Sequence, residues 1–305
     1  MKILLTGASG LLGSAFAKAA SRRKHGVVGI VGSFSGQIDG LESKQQIDLL
    51  DRFATERKIL EVFPDVIVNC AAFSYPWRCE EEPEKSNRLN VELPAQLASL
   101  AKHLFAKLIH ISSEQVFDGH NPPYHRTDSV SVINHYAKQK VDSEQRVHEI
   151  AAEFATTLRV PLLSGNSPSG NRSLHERLLH DWSQGKETPL FTDERRQVCL
   201  VDNLADVLVE LCERNDLKGI YHWAGLESFS RYDMGMKIAE RFGLSTELIV
   251  QAKRDDQTWS ASRQPDLSMD LEPLKGLLKT SPQTFSQQLE SLIVPVQLRE
   301  WYNSI

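Results

Sequence analysis

Apolar and polar positions follow two different periods along the first half of this chain. Residues 2–5 are a short, largely apolar run, followed by a glycine-rich turn and a helical pattern over 14–23. Residues 27–31 and 65–69 are further apolar runs, with a helical pattern over 50–63 between them. A helix is expected over 87–104, a strand over 108–111, a long helix around Tyr136 and a strand over 155–160. Short, nearly continuous apolar runs separated by helical segments point to strands buried on both faces. Parallel neighbours need such crossovers, so the fold class is α/β with a parallel sheet covered on both sides.

The second half is less regular. Residues 164–172 are rich in Ser, Gly, Asn and Pro and read as a loop. Residues 173–184 and 201–214 read as helices, and 219–223 as a strand that returns to the main sheet. Ser230 and Asp233 have capping-box spacing and open a helix that runs to Phe242 and stops at Gly243. Pro282 opens a last helix expected to reach Trp301. The organisation expected is a nucleotide-binding domain over 1–162, with 200–225 returning to it, and a smaller substrate-binding region over 163–305.

The glycine turn brings the first chemistry. Thr6-Gly7-Ala8-Ser9-Gly10-Leu11-Leu12-Gly13 lies between a strand and a helix start. In that position glycines let the backbone approach a pyrophosphate, and the helix N-terminus offers free N–H groups and a positive dipole end. The sheet is thus expected to be a Rossmann-type doubly wound sheet that binds a dinucleotide. The spacing is G-x-x-G-x-x-G rather than the usual G-x-G-x-x-G.

A second constellation lies downstream. Ser113 ends the apolar run at 108–111, and Tyr136 and Lys140 stand four residues apart on a helix, hence on one face. A tyrosine hydroxyl can protonate a carbonyl oxygen while a nicotinamide delivers hydride, a lysine cation can favour the phenolate, and a serine hydroxyl can hold the same oxygen. By itself Ser113 also reads as a strand-end hydroxyl that bonds its own backbone. The second strand ends in Val31-Gly32-Ser33-Phe34, with no acid before Asp39. NAD recognition needs an acid there for the ribose hydroxyls. Its absence favours NADP(H) over NAD(H), with Ser33 beside the ribose.

Composition narrows the class. The chain has 305 residues, 25% charged and 41% apolar, and a net charge of −5 without a basic tract, which argues against nucleic acid as a partner. No apolar run approaches the ~18 residues of a membrane span. Cys70, Cys79, Cys199 and Cys212 show no C-x-x-C spacing, and the ten histidines are scattered, so neither a disulfide framework nor a metal site is expected. No signal peptide is evident, and a cytoplasmic location is the expectation.

Together these features resemble the extended short-chain dehydrogenase/reductases, and within them the dTDP-4-dehydrorhamnose reductase family. The likeness runs through the glycine turn, Asn69-Cys70-Ala71-Ala72, the segment 111–119, Pro123-Tyr124, Tyr136 with Lys140, Leu158-Arg159-Val160-Pro161, 193–205, and Arg263 to Asp270. It implies Ser113, Tyr136 and Lys140 as the catalytic set. Gly7, Ser9, Gly10, Leu11 and Leu12 would meet the cofactor phosphates. Asp48 and Leu49 would lie beside the adenine, although Asp48 also reads as a helix N-cap. Cys70, Ala71 and Ala72 would border the cofactor, with Leu163 near the nicotinamide. Arg196 would contact substrate, with a surface ion pair as the other reading. Glu114 and Gln115 stand where the family has other residues and are expected to line the pocket, at least one of them touching substrate. The resemblance implies an NADP(H)-dependent reductase of a nucleotide-activated keto-sugar and leaves a homodimer open. The same family includes the regulatory beta subunit of methionine adenosyltransferase, an NADP-binding protein partner, so a non-catalytic regulatory subunit is the alternative. An epimerase that retains NAD is a third.

Overall fold

The computed structural model describes residues 1–256 and 262–305. Six strands, β1 (Lys2–Thr6), β2 (Gly26–Val31), β3 (Ser43–Gln46), β4 (Val66–Asn69), β5 (Lys107–Ser113) and β6 (Ala155–Val160), join Gly219–His222 in one sheet. Its order is 219–222, β6, β5, β4, β1, β2, β3, and every neighbouring pair is parallel. The crossovers include α1 (Leu11–Arg22), α2 (Arg52–Val62), α5 (Leu93–Leu104), α6 (His135–Ala151) and α8 (Val201–Glu213).

The apolar runs are continuous because each strand feeds two cores. On β1, Ile3 and Leu5 face α1 and α8, packing with Phe16, Leu204 and Leu208, while Leu4 faces the other side with Ile67, Leu97 and Leu108. A third core, around Trp182, Met234, Ile238, Phe242, Phe285 and Leu289, gathers α7 (Leu174–Ser183), α9 (Arg231–Phe242) and the C-terminal segments. The chain order reverses between β1 and β4, where a doubly wound sheet opens a crevice at its carboxyl edge.

Three expected elements differ. The helix expected over 87–104 is interrupted. Short helices α3 (Pro76–Glu81) and α4 (Pro83–Asn87) precede a π turn at Arg88–Glu92, and α5 begins only at Leu93. Pro94 has no N–H and its ring would strike the carbonyl four residues back, so the widened turn accommodates it. The last helix is also broken, into Phe285–Glu290 and Arg299–Asn303, with Pro295 between them. The N-cap of α2 is Asp51, whose side chain accepts from Ala54 N; Asp48 instead accepts from Leu50 N at 2.9 Å. Among the described residues no helix is long and apolar enough to cross a membrane.

Candidate active site

A cleft of about 1100 Å³ opens at the carboxyl edge of the sheet, at the reversal point. One end is built by the turn between β1 and α1. Gly7 has φ +66°, and a Cβ there would lie 2.7 Å from Ala71 N and 2.8 Å from the Cys70 carbonyl carbon. A side chain at Gly13 would overlap the Gly7 carbonyl oxygen. Only glycine permits both the conformation and the approach of these backbones. Gly10, the N-cap of α1, makes no side-chain cap, so the first N–H groups of that helix are not occupied by one. This combination fits the phosphates of a dinucleotide.

Of the residues expected at the site, Gly7, Ser9, Gly10, Leu11, Leu12, Leu49, Cys70, Ala71, Ala72, Ser113, Glu114, Gln115, Tyr136, Lys140, Leu163 and Arg196 all line this cleft. Ser33 and Asp48 are not among its lining residues; both are exposed to solvent. The loop after β2 carries no carboxylate over 32–37. Lys44 Nζ binds the carbonyls of Ser35 and Gly36, each at 2.8 Å, and the first acid, Asp39, pairs with Lys18 on α1.

Strand β5 and helix α6 are stitched along four consecutive residues. His110 Nε2 meets Ser143 Oγ at 3.0 Å, and Lys140 Nζ donates to the Ile111 carbonyl at 2.9 Å. Ser112 Oγ donates to Glu144 Oε1 at 2.5 Å, and Ser113 hydrogen-bonds Tyr136. The Ser113 oxygen also accepts from Gln115 N at 3.2 Å, so the hydroxyl serves its own backbone and the tyrosine together. Burial raises the pKa of Tyr136, and the Ser113 hydrogen bond is the opposing influence. The Lys140 ammonium, 5.9 Å from the tyrosine ring, is itself pulled down to about 8 by burial. The expected depression of the tyrosine by this lysine is therefore not found: burial raises the phenol, and Ser113, not Lys140, is what opposes it.

Glu114 and Gln115 both face the cleft because the strand stops at Ser113. A 3-10 turn over Glu114–Val116 ends the alternation that would have put them on opposite faces. Arg196 is buried at 4% exposure, so it is no surface ion pair. It meets Glu114 Oε1 at 3.2 Å and Glu194 Oε1 at 3.5 Å. Glu194, fully buried, also receives Arg231 at 2.7 Å and Arg263 at 3.0 Å. Sequence reading missed Glu194 as an organising centre, together with Tyr75, Arg172, Arg177 and Arg231 on the cleft wall, whereas Trp77 and Arg263, which also line it, fall in segments that the family resemblance puts at the substrate side. For Glu194 the visible signal was the adjoining acids and arginines of Asp193-Glu194-Arg195-Arg196, a segment shared with the family.

The two glutamates titrate in opposite directions. Burial raises Glu114 to about 8 against the attraction of Arg196, which Glu194 shares. For Glu194, burial is opposed by Arg231, Arg196 and Arg263, and the guanidinium groups prevail, holding it at about 2. A raised folded pKa makes the Glu114 contribution complete below 4.5 and lost as pH rises to about 8. A lowered one makes the Glu194 contribution present above 4.5 and lost as pH falls towards about 2. Below pH ~6.5 the buried neutral His110 and His222 oppose the Glu114 contribution, because each must stay uncharged in the fold, so thermal melts of the wild type are expected to be highest near pH ~6.5 and to decline from there towards pH ~8. Glu114→Gln, neutral throughout, is expected to flatten that alkaline decline. An equal decline in the variant would assign it to another group.

Comparison with known proteins places these features. A sequence model of the RmlD substrate binding domain matches residues 1–298. Methionine adenosyltransferase 2 subunit beta of Pongo abelii is 33% identical over 282 residues, covering 90% of this chain and 82% of that protein. A probable low-salt glycan biosynthesis reductase, Agl14, of Haloferax volcanii is 28% identical, covering 96% and 97%. A hypothetical dTDP-4-dehydrorhamnose reductase from Sulfolobus tokodaii, known as a crystal structure, superposes with a TM-score of 0.82 at 29% identity, covering 96% and 100%. With nearly its whole length matched, the chain belongs to the RmlD substrate binding domain family.

Proposed function

We propose that the chain is an NADP(H)-dependent reductase of a nucleotide-activated keto-sugar. The observation that carries this reading is the convergence of Ser113, Tyr136 and Lys140 on the wall of the cleft that begins at the Gly7 turn. A reduced nicotinamide, when bound, supplies the hydride. Tyr136 keeps its proton at neutral pH and gives it to the carbonyl oxygen as negative charge develops there. Ser113 orients that oxygen. Lys140, predominantly protonated at pH 7, offers its ammonium to the cofactor ribose. Gly7, Ser9, Gly10, Leu11 and Leu12 serve the phosphates, and Cys70, Ala71, Ala72 and Leu163 flank the cofactor.

The far end of the cleft supports an anionic substrate. Arg172, Arg177, Arg196, Arg231 and Arg263 line it with Glu114, and Glu194 neutralises only part of that charge. A diphosphate of a nucleotide sugar fits such a surplus. Assaying NADPH oxidation against a panel of dTDP- and UDP-linked 4-keto-sugars tests the reading. One member of the panel is expected to be consumed, and inertness towards all of them would overturn it.

For the cofactor, NADPH is expected to bind at least tenfold more tightly than NADH, about 1.4 kcal/mol. The loop after β2 has no carboxylate to repel a 2′-phosphate and has the Lys44 cation beside it. Calorimetric titration of both nucleotides checks this, and a tenfold preference for NADH would reverse the assignment.

The likeness to methionine adenosyltransferase 2 subunit beta favours one second reading, a cofactor-binding partner subunit that does not turn substrate over. The aromatic residues near the C-terminus lend it no support, since Trp301 and Tyr302 pack on their own core and Tyr302 Oη donates to the Phe242 carbonyl at 2.8 Å.

A further inference from the structure

Beneath the cleft floor runs a continuous line of buried hydrogen bonds. Ala71 N donates to Thr6 Oγ1 at 3.3 Å, and Thr6 Oγ1 donates to Asn69 Oδ1 at 2.6 Å. Asn69 Nδ2 meets His110 Nδ1 at 3.1 Å, His110 Nε2 meets Ser143 Oγ at 3.0 Å, and Ser143 Oγ donates to the Lys140 carbonyl at 2.8 Å. Thr6, Asn69, His110 and Ser143 are each at most 1% exposed. The proton order follows from the last bond. Ser143 has one hydrogen and spends it on Lys140, so His110 must donate from Nε2. Burial holds the imidazole neutral, well below its usual pKa, so Nδ1 accepts and Asn69 must present its amide N–H. Every bond therefore points the same way, from Ala71 to Lys140.

Both ends touch the cleft. The 70–71 peptide packs against Gly7, and its N–H is turned inward to Thr6. Lys140 carries the ammonium on the opposite wall. No other side chain in the line reaches the cleft lining. Chains of aligned hydrogen bonds polarise one another, and removing one leaves buried partners unpaired.

We propose that His110 is a positioning residue that fixes the Lys140 turn of α6 relative to the backbone wall at Gly7 and Ala71. The proposal rests on the cofactor reading above for its consequence, but its geometry is independent of it. The charged and titratable groups facing Lys140 are Glu144 on its own helix, Arg159 of β6 paired with Glu144, Cys70 after β4, Cys79 of α3, Tyr136, and the neutral His110 of β5. When the line is cut, the Lys140 turn relaxes, water reaches the ammonium, and its titration moves up towards the ordinary lysine value.

The test follows the Lys140 side chain by NMR across pH ~7–10.5, with NADPH affinity by calorimetry as a second readout. In the wild type, Lys140 is expected to titrate at about 8 and His110 to show the Nε2–H tautomer. His110→Phe keeps a planar ring and removes both bonds. It is expected to move the Lys140 titration up by about half a pH unit or more and to weaken NADPH roughly fivefold to tenfold. Ser143→Ala removes one oxygen and is expected to act in the same direction with smaller size; it carries the test if the histidine variant does not fold. Thr156→Val removes an equally buried bond, from Thr156 Oγ1 to the Leu217 carbonyl, away from the cleft. It is expected to lower the melting temperature alone. If the His110 and Ser143 variants also lower only the melting temperature, or if His110 carries its proton on Nδ1, the proposal fails. A wild type that binds no NADPH fails the cofactor reading, while the Lys140 titration still decides the positioning role of His110.

Discussion

Tyr136→Phe is expected to lower turnover of the keto-sugar by roughly 10²–10⁴ while the chain still folds and binds NADPH. The substitution removes one hydroxyl and keeps the ring, which is 7% exposed and packed between α3 and the cleft. The size of the loss follows from the role. Burial keeps the phenol protonated, so it can act as an acid without a prior proton uptake, and it hydrogen-bonds Ser113. Cofactor affinity should change by less than about tenfold, because at most one hydrogen bond of about 1 kcal/mol is lost. Lys140→Ala should differ in kind, weakening NADPH and slowing turnover together, since one ammonium serves the cofactor and borders the tyrosine. Steady-state kinetics with calorimetry on the same preparations separates the two patterns. Full turnover by Tyr136→Phe would remove the tyrosine from the mechanism. A wild type that consumes no keto-sugar yet binds NADPH and a partner protein would instead favour the subunit reading.

The chemistry of this cleft was legible in the sequence to unequal degrees. The glycine turn and the Tyr136–Lys140 pair are local, since a strand, a turn and a helix, or two residues one helical turn apart, fix their own geometry. The strands of the sheet were legible for a related reason. Each is four to seven residues long, enough to show an apolar run. The exception is β3, whose Ser-Lys-Gln-Gln is polar and sits at the sheet edge, where one side is open to water. The far wall of the cleft was legible only through the resemblance, which placed Leu163, Glu114, Arg196 and Arg263 there but not the cluster that joins them. Leu163–Ser164 and Arg195–Arg196 are strands of two residues and have no period to read. Glu194, Arg231 and Arg263 are brought together from separate segments by tertiary packing, and a guanidinium that is buried in the fold looks in sequence like one on the surface. The capping of α2 by Asp51 rather than Asp48 turned on three residues, within the ordinary uncertainty of a helix start.

That far wall carries the largest expected effect on stability. Glu194 is the shared counter-charge of Arg196, Arg231 and Arg263, and it is fully buried. Glu194→Gln keeps the shape but leaves three guanidinium groups facing one another. Glu114 replaces the lost charge only in part, because burial, the largest influence on its carboxyl, still favours the neutral form even without the like charge of Glu194 beside it. Removing one partner of a buried ionic cluster costs about 3–5 kcal/mol. In a chain of this size that corresponds to a fall in melting temperature of roughly 10 °C. The loss should be smaller below pH ~3, where the wild-type carboxylate begins to protonate as well. Combining Glu194→Gln with Arg196→Met should recover part of the stability, since an apolar side chain of similar length removes one of the uncompensated charges. Calorimetric melts of the two variants decide between this electrostatic account and a packing one. If the double variant were less stable than the single one by the full cost of losing Arg196, the carboxylate would not be the centre that holds these arginines.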